Sequence, residues 1–405
     1  MPERAELDVV VERLAVGGDG IAREPEGRVV FVEGGLPGEH VRVSVTRRAR
    51  DYWRAEVREV LTASPSRIDP PCPEVARGCG GCGWMHIDPT AQLELKVAMV
   101  RDALVRQGRL ADAAVTARAA VAPLRYRTTA RFAGAENGRL GLRRPASNDV
   151  VELGGCLVVD PAIEALLPGV RIPAGSELTI RMSRQTGQRT AMLTGSSADP
   201  GGNQRVDGLP PDVRLGAEAW LLERVAGIDL RVSAASFFQS SPESAALLVS
   251  AVSGALADSG VPVQRWLDLY GGIGLFAATV LPGSDVTVVE QSASACSDAR
   301  HNLSDRRARV VESAVEEWSP EDCGAPFDAV VADPSRRGLG AEGADVVMRT
   351  GASVVVLVSC DAASLGRDTA LLTARGYAHA GSEVLDLFPG TPHLEVVTRF
   401  ARSAP

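Results

Sequence analysis

Apolar and polar residues alternate in short runs through residues 1–63, as in LDVVVERLAVGG, RVVFVEGGLPGEHVRVSVT and WRAEVREVLTA, with glycine-rich turns between them. Period-two alternation broken by such turns predicts a small antiparallel β-barrel. Ser64–Pro71 (SPSRIDPP) follows as a predicted linker, because two consecutive prolines suit neither a helix nor a sheet interior. Within Pro89–Gly108, Leu93, Val97, Val100 and Leu104 recur at helical spacing and predict one amphipathic helix. Over 124–232, strand-like pieces such as YRTTARFAG, DVVELGGCLVV and ELTIRMSR are broken by Gly, Asn, Asp and Pro, which predicts a β-rich central domain.

The texture changes at Ser241, a predicted N-cap with Pro242 at the first helical position. Beyond it nearly continuous apolar strands (RWLDLY, DVTVVE, FDAVVADP, SVVVLVSC) alternate with helices, and two strands close the chain near 378–386 and 394–401. That order predicts an α/β body, a mostly parallel, doubly wound sheet covered on both faces. The chain therefore divides into 1–63, 64–232 and 233–405.

Composition supports this picture, since 405 residues at 45% hydrophobic exceed one ordinary domain and only 4% are aromatic. No apolar run is long enough to cross a bilayer and the N-terminus MPERAELDVV is charged, so a cytoplasmic protein is expected. A net charge of -8 disfavours general electrostatic capture of nucleic acid. A local patch in the barrel (Arg42, Arg47, Arg48, Arg50 and Arg54 around Tyr52 and Trp53) could still pair phosphates and stack a base, or be an ordinary solvated hairpin.

Cysteine spacing carries chemistry, because a reducing compartment turns thiols into ligands or nucleophiles rather than disulfides. Cys72, Cys79 and Cys82 share a Gly- and Pro-rich loop, and Cys156 in GGCLVVDP is the natural fourth ligand. An all-thiolate set suits a 4Fe-4S cluster or a tetrahedral zinc, and three clustered ligands with one remote favour iron–sulfur. Cys296 and Cys323 stand alone.

In the C-terminal unit the strand RWLDLY runs into Tyr270-Gly271-Gly272-Ile273-Gly274, and Glu290 ends the next strand where a carboxylate can hold ribose hydroxyls. Gly272, Gly274 and Ala277 also satisfy the fingerprint of a nicotinamide enzyme. The other strand ends tilt the balance: Asp333 closes the fourth strand and Cys360 the fifth, and a hydride-transfer enzyme needs no thiol there. Cys360, with Glu395 in FPGTPHLE, predicts a nucleophile and base for covalent catalysis.

GGDGIA at 17–22, the four cysteines, YRTTARF at 126–132, FFQSSPE at 237–243, DLYGGIG at 268–274, DPSRRGLG at 333–340, SCDAASLGRD at 359–368 and FPGTPHLE at 388–395 together resemble one family. It is the S-adenosylmethionine-dependent RNA uracil-5 methyltransferases, in their TRAM-containing, iron–sulfur branch, and the resemblance covers nearly the whole chain. It implies a class I methyltransferase sheet, a TRAM/OB-like N-terminal barrel that binds RNA, and a central domain carrying the four-cysteine cluster. Cys360 would add to uracil C6 and Glu395 would remove the C5 proton. S-adenosylmethionine would contact Gln239, Tyr270, Gly272, Gly274, Glu290 and Asp333, with Asp333 also able to orient the uracil edge.

The implied substrate is structured RNA presenting an unstacked loop uridine, ribosomal before transfer RNA, worked on by a monomer away from membranes. Three positions depart from the family's Asp-Pro-Pro-Arg and Ser-Cys-Asn-Pro: Ser335, Asp361 and Ala362. Asp361 is expected to raise the neighbouring thiol's pKa by like-charge repulsion. These departures keep open a competing class, a non-catalytic RNA-binding or assembly factor retaining the fold.

Overall fold

The computed structural model describes residues 6–195, 206–324 and 326–402. Strands Glu6–Leu14, Gly20–Arg23, Val29–Glu33, His40–Arg48 and Tyr52–Thr62 close into a barrel in which the fifth strand inserts between the third and the fourth. Alternate residues Val9, Val11, Val30, Val32, Val41 and Val43 fill its centre. The barrel is not wholly antiparallel, as the alternation led one to expect: Val29–Glu33 pairs parallel with Tyr52–Thr62. Five strands cannot alternate direction all the way round a ring, so one parallel seam is forced.

The expected linker is an ordered strap. Arg67 reaches the fully buried Glu39 carboxylate at 2.7 Å and the Gly34 carbonyl at 2.6 Å, while Ile68 N donates to His86 O at 3.0 Å. A carboxylate taken out of water demands such a counter-charge, and the two prolines do not prevent it. The arginine patch is also partly spent: Arg42 is held by Asp8 and Glu59, and Arg54 by Asp19, while Arg48, joined by Arg28 from outside the patch, lies over the Trp53 ring.

Helix Pro89–Arg106 starts on Asp88, whose side chain accepts from Thr90 N. Val97, Val100 and Leu104 are buried as their spacing predicts, Leu93 only in part, and Gln92 and Lys96 are buried with them. The following strand, Val115–Ala120, leaves the central region and pairs with Tyr377–Asp386 in the C-terminal sheet. The central sheet is built from Thr129–Gly134, Leu140–Arg143, Val150–Glu152, Ser176–Met182, Arg189–Gly195 and Val213–Leu215, with a separate hairpin Trp220–Val225 and Ile228–Ser233.

The C-terminal sheet has eight strands, ordered Ala308–Glu312, Asp285–Glu290, Arg265–Leu269, Ala329–Ala332, Val354–Ser359, Glu395–Arg402, Tyr377–Asp386 and Val115–Ala120. The first five are mutually parallel, and Glu395–Arg402 runs antiparallel to both its neighbours. The chain reverses its direction of travel across the sheet between Arg265–Leu269 and Ala329–Ala332, which opens a crevice at the carboxyl ends of those strands. Among the described residues no helix is long and apolar enough to cross a membrane.

Candidate active site

The crevice begins at the end of Arg265–Leu269. Asp268 is buried and accepts from Ala277 N at 3.1 Å, which ties the strand to the helix Leu275–Thr279. Burial first, then the charges of Asp333 and Glu290, push its carboxyl well above the usual range. Between strand and helix the backbone turns through the left-handed region at Tyr270 (φ 57°), Gly272 (φ 54°) and Gly274 (φ 82°). Gly271 is required for a different reason, since a Cβ there would sit 2.6 Å from Val288 Cγ1. Tyr270 carries backbone strain, and its hydroxyl donates to Glu316 at 2.7 Å. Glu290 accepts from Gly272 N at 3.0 Å and from Ser292 N at 2.7 Å, which fixes its carboxylate at the turn with lone pairs to spare.

The opposite wall follows from strand pairing. Ser359 faces Val396 in the antiparallel register of Val354–Ser359 with Glu395–Arg402, so one step further along the ladder Cys360 comes opposite Glu395. Thirty-five positions of separation collapse to neighbours in this way. Asp333, whose N–H donates to Leu269 O at 3.2 Å, ends the adjacent strand. Burial pushes the Cys360 thiol up to about 12, with Glu395 and Asp333 adding repulsion and Arg336 opposing it. Glu395 is raised well above its ordinary value by burial and then by Asp333, and burial lifts Asp333 to about 7. Burial and mutual repulsion favour protonation of one member of this carboxyl pair.

The Asp361 side chain accepts from Ser364 N at 2.7 Å and caps helix Ala362–Ala374, while the largest charges bearing on Cys360 are those of Glu395, Asp333 and Arg336. A helix start claims this carboxylate, as Asx residues at such positions commonly are claimed.

Gln239, Tyr270, Gly272, Glu290, Asp333, Cys360 and Glu395 line one open cavity of about 1500 Å³. Gly274 lies behind it, beginning the helix with a Cβ position 3.2 Å from Leu303. Periodicity and spacing gave no sign of three further lining residues. Arg127 stacks over both Tyr126 and Phe388, Arg336 lies 3.3 Å from the His393 ring, and Phe237 is 76% exposed at the rim. Each sits inside a segment the resemblance rests on, and that was the only signal available. Burial and the nearby Arg336 lower His393 to about 4, so it is neutral at physiological pH.

Cys72, Cys79, Cys82 and Cys156 line a second, small cavity of about 20 Å³, walled by Val75, Met85, Leu142 and Leu153. All four are free thiols. Burial raises Cys79, Cys82 and Cys156, and the cysteines repel one another further. Among the described residues no three Cys, His, Asp or Glu side chains already stand in a metal-coordinating arrangement. A shared cavity holding four sulfur donors is nevertheless the donor set that a thiophilic centre uses.

The strand order and the crevice are those of a methyltransferase. Over 97% of this chain and 99% of the other, the fold matches the Pyrococcus abyssi tRNA (uracil-54, C5)-methyltransferase solved with S-adenosyl-L-homocysteine, at a TM-score of 0.70 and 22% identity. Residues 3–57 match the TRAM domain. An uncharacterized RNA methyltransferase of Streptomyces avermitilis is 32% identical over 97% of both chains. The 23S rRNA (uracil(1939)-C(5))-methyltransferase of Pectobacterium atrosepticum is 31% identical over 97% of this chain and 93% of its own. The protein thus belongs to the RNA methyltransferase family, with a methyltransferase fold behind an N-terminal TRAM barrel.

Proposed function

We propose that this enzyme methylates C5 of uracil in RNA, drawing the methyl group from S-adenosylmethionine and passing through a covalent Cys360 adduct. The register that brings Cys360 opposite Glu395 at the cavity wall carries this reading, and the uracil-C5 specificity of the Pectobacterium relative supports it. Uracil C5 is too weak a nucleophile to act unaided. The Cys360 thiol gives up its proton to solvent in the open cavity, and its sulfur bonds to C6 as the C5–C6 double bond opens and its electron pair moves to C5, from where it takes the methyl group. S-adenosylmethionine, when bound, supplies an electrophilic methyl group. Glu395 in its ionised form then takes the C5 proton, the C5–C6 double bond reforms, and the sulfur leaves as thiolate. Arg336 faces Cys360 and Glu395 and favours the anionic form of both.

Tyr270, Gly272, Glu290, Gln239 and Asp333 would hold the cofactor, with Glu290 on its ribose. A target uridine enters unstacked, and the exposed Phe237 ring at the rim suits stacking against a base. The barrel, as a TRAM domain, would grip the surrounding RNA, ribosomal RNA before transfer RNA, and the enzyme would work as a cytoplasmic monomer. Cys72, Cys79, Cys82 and Cys156 would hold a 4Fe-4S cluster, with zinc as the alternative, serving to cross-link this loop. Incubation with radiolabelled S-adenosylmethionine and total RNA should give 5-methyluridine that disappears in Cys360→Ala. Cofactor binding without any transfer would instead favour a non-catalytic RNA-binding factor.

A further inference from the structure

Asp368 ends the SCDAASLGRD segment, and none of the roles above uses it. It lies on helix Ala362–Ala374, which begins directly after Cys360, and it is 1% exposed. Its carboxylate accepts from Leu339 N at 2.8 Å and from Gly340 N at 3.1 Å. These amides open helix Gly340–Arg349, whose own N-cap residue, Leu339, has no side-chain oxygen to offer. Two of the orphan donors of that helix are therefore satisfied from another helix.

The same contact fixes the wall loop that runs from Asp333 to Gly340. Gly338 has φ 78°, and a Cβ there would lie 2.1 Å from Asp368 Oδ2, so the loop passes directly against the carboxylate. At its other end the loop is pinned by Asp333 N on Leu269 O at 3.2 Å. Between the pins stand Ser335, Arg336 and Arg337, all lining the cavity. The helix that follows the thiol thus carries the loop's anchor about 9 Å beyond its own first residue, Ala362.

We propose that Asp368 is a positioning residue: it locks the wall loop to the helix that follows the nucleophile, and so holds Arg336 beside Cys360 and Glu395. The inference rests on the covalent reading of Cys360. In Asp368→Asn the amide oxygen can accept one backbone N–H, while its NH₂ faces the other. Gly338→Ala disturbs the same contact from the loop side.

The test is the rate of covalent adduct formation with RNA containing 5-fluorouridine, in the wild type, Asp368→Asn, Gly338→Ala, Arg336→Ala and the Asp368→Asn/Arg336→Ala double variant. Asp368→Asn and Gly338→Ala should each slow the adduct roughly 10- to 100-fold, and amide exchange across 335–340 should quicken. Adding Asp368→Asn to Arg336→Ala should slow it no further. The adduct's pH profile in Asp368→Asn should move upward, because the thiol then faces Glu395 and Asp333 with its cation displaced. Multiplicative effects in the double variant would overturn the inference, as would unchanged rates in both single loop variants. A wild type that forms no adduct would overturn the covalent reading and this inference with it.

Discussion

Lys96 and Asp386, 290 positions apart in the chain, meet at 2.6 Å as an ion pair closed off from water. The same ammonium reaches the Phe388 carbonyl at 3.4 Å, and Phe388 N donates to Asp386 at 3.1 Å. Burial lowers the Lys96 ammonium and raises the Asp386 carboxyl, and the contact between them works against both shifts. A helix of the segment after the cysteine loop thereby holds the root of the turn that delivers Glu395.

Lys96→Met leaves the Asp386 carboxylate buried without its cation and should cost about 3–5 kcal/mol in urea unfolding. Lys96→Met with Asp386→Asn should recover part of that loss, because an amide needs no counter-charge. A single variant as stable as the wild type would show that the pair contributes nothing.

Gln92 acts at the same turn by neutral hydrogen bonds. Its Oε1 accepts from Gly390 N at 2.7 Å and its Nε2 donates to Ile87 O at 3.0 Å, while Trp84 N donates to Gly390 O at 2.8 Å. Gln92→Leu strands the buried Gly390 amide, with an expected cost of about 1–3 kcal/mol. Methyl transfer should fall with it, since the freed turn leads straight into Glu395. Unfolding and turnover measured on one preparation check both effects.

Asp333 gives a pH-dependent stability of defined sign. Its folded pKa is raised to about 7 from an ordinary 3.8, so its contribution is fully present below the ordinary value and is lost as pH rises through 7. Asp333→Asn should therefore stabilise the protein above pH 7, by on the order of 1 kcal/mol once solvent screening of a partly buried carboxyl at an open cavity is allowed for. Below pH 4 it should gain nothing. Thermal midpoints across that range would show the crossover, and a uniform shift at every pH would contradict it.

Asp361→Asn should change little, because asparagine caps a helix as well as aspartate does. The adduct rate should stay within about twofold, whereas Asp361→Ala should cost about 1 kcal/mol of stability. A large acceleration in Asp361→Asn would show instead that like-charge repulsion from Asp361 governs the thiol.

Much of this fold was legible because apolar spacing reports burial. The alternation of Val9, Val11, Val30 and Val32 forecasts the barrel, and the unbroken run Val354–Ser359 forecasts a central strand. Buried polar residues left no such trace: Lys96 and Gln92 occupy core positions on a helix whose pattern foretold only Val97, Val100 and Leu104. The partners that tie them to the catalytic turn, Asp386 and Gly390, lie hundreds of positions away, and nothing local in the sequence points to them. Cys360 and Glu395 could be named from their segments, but their pairing is a property of strand register. The parallel seam of the barrel follows from closing five strands into a ring, which alternation within each strand does not report.

The most direct test of the central claim is to trap the reaction on RNA whose target uridine is 5-fluorouridine, and to digest the product for mass spectrometry. The fluorine cannot leave as a proton does, so the nucleotide should remain bonded to the peptide containing Cys360, methylated at C5, with adduct forming faster as pH rises. Glu395→Gln should accumulate the same adduct on ordinary uridine. A nucleotide recovered without any peptide, from an enzyme that still methylates RNA, would contradict the covalent role of Cys360.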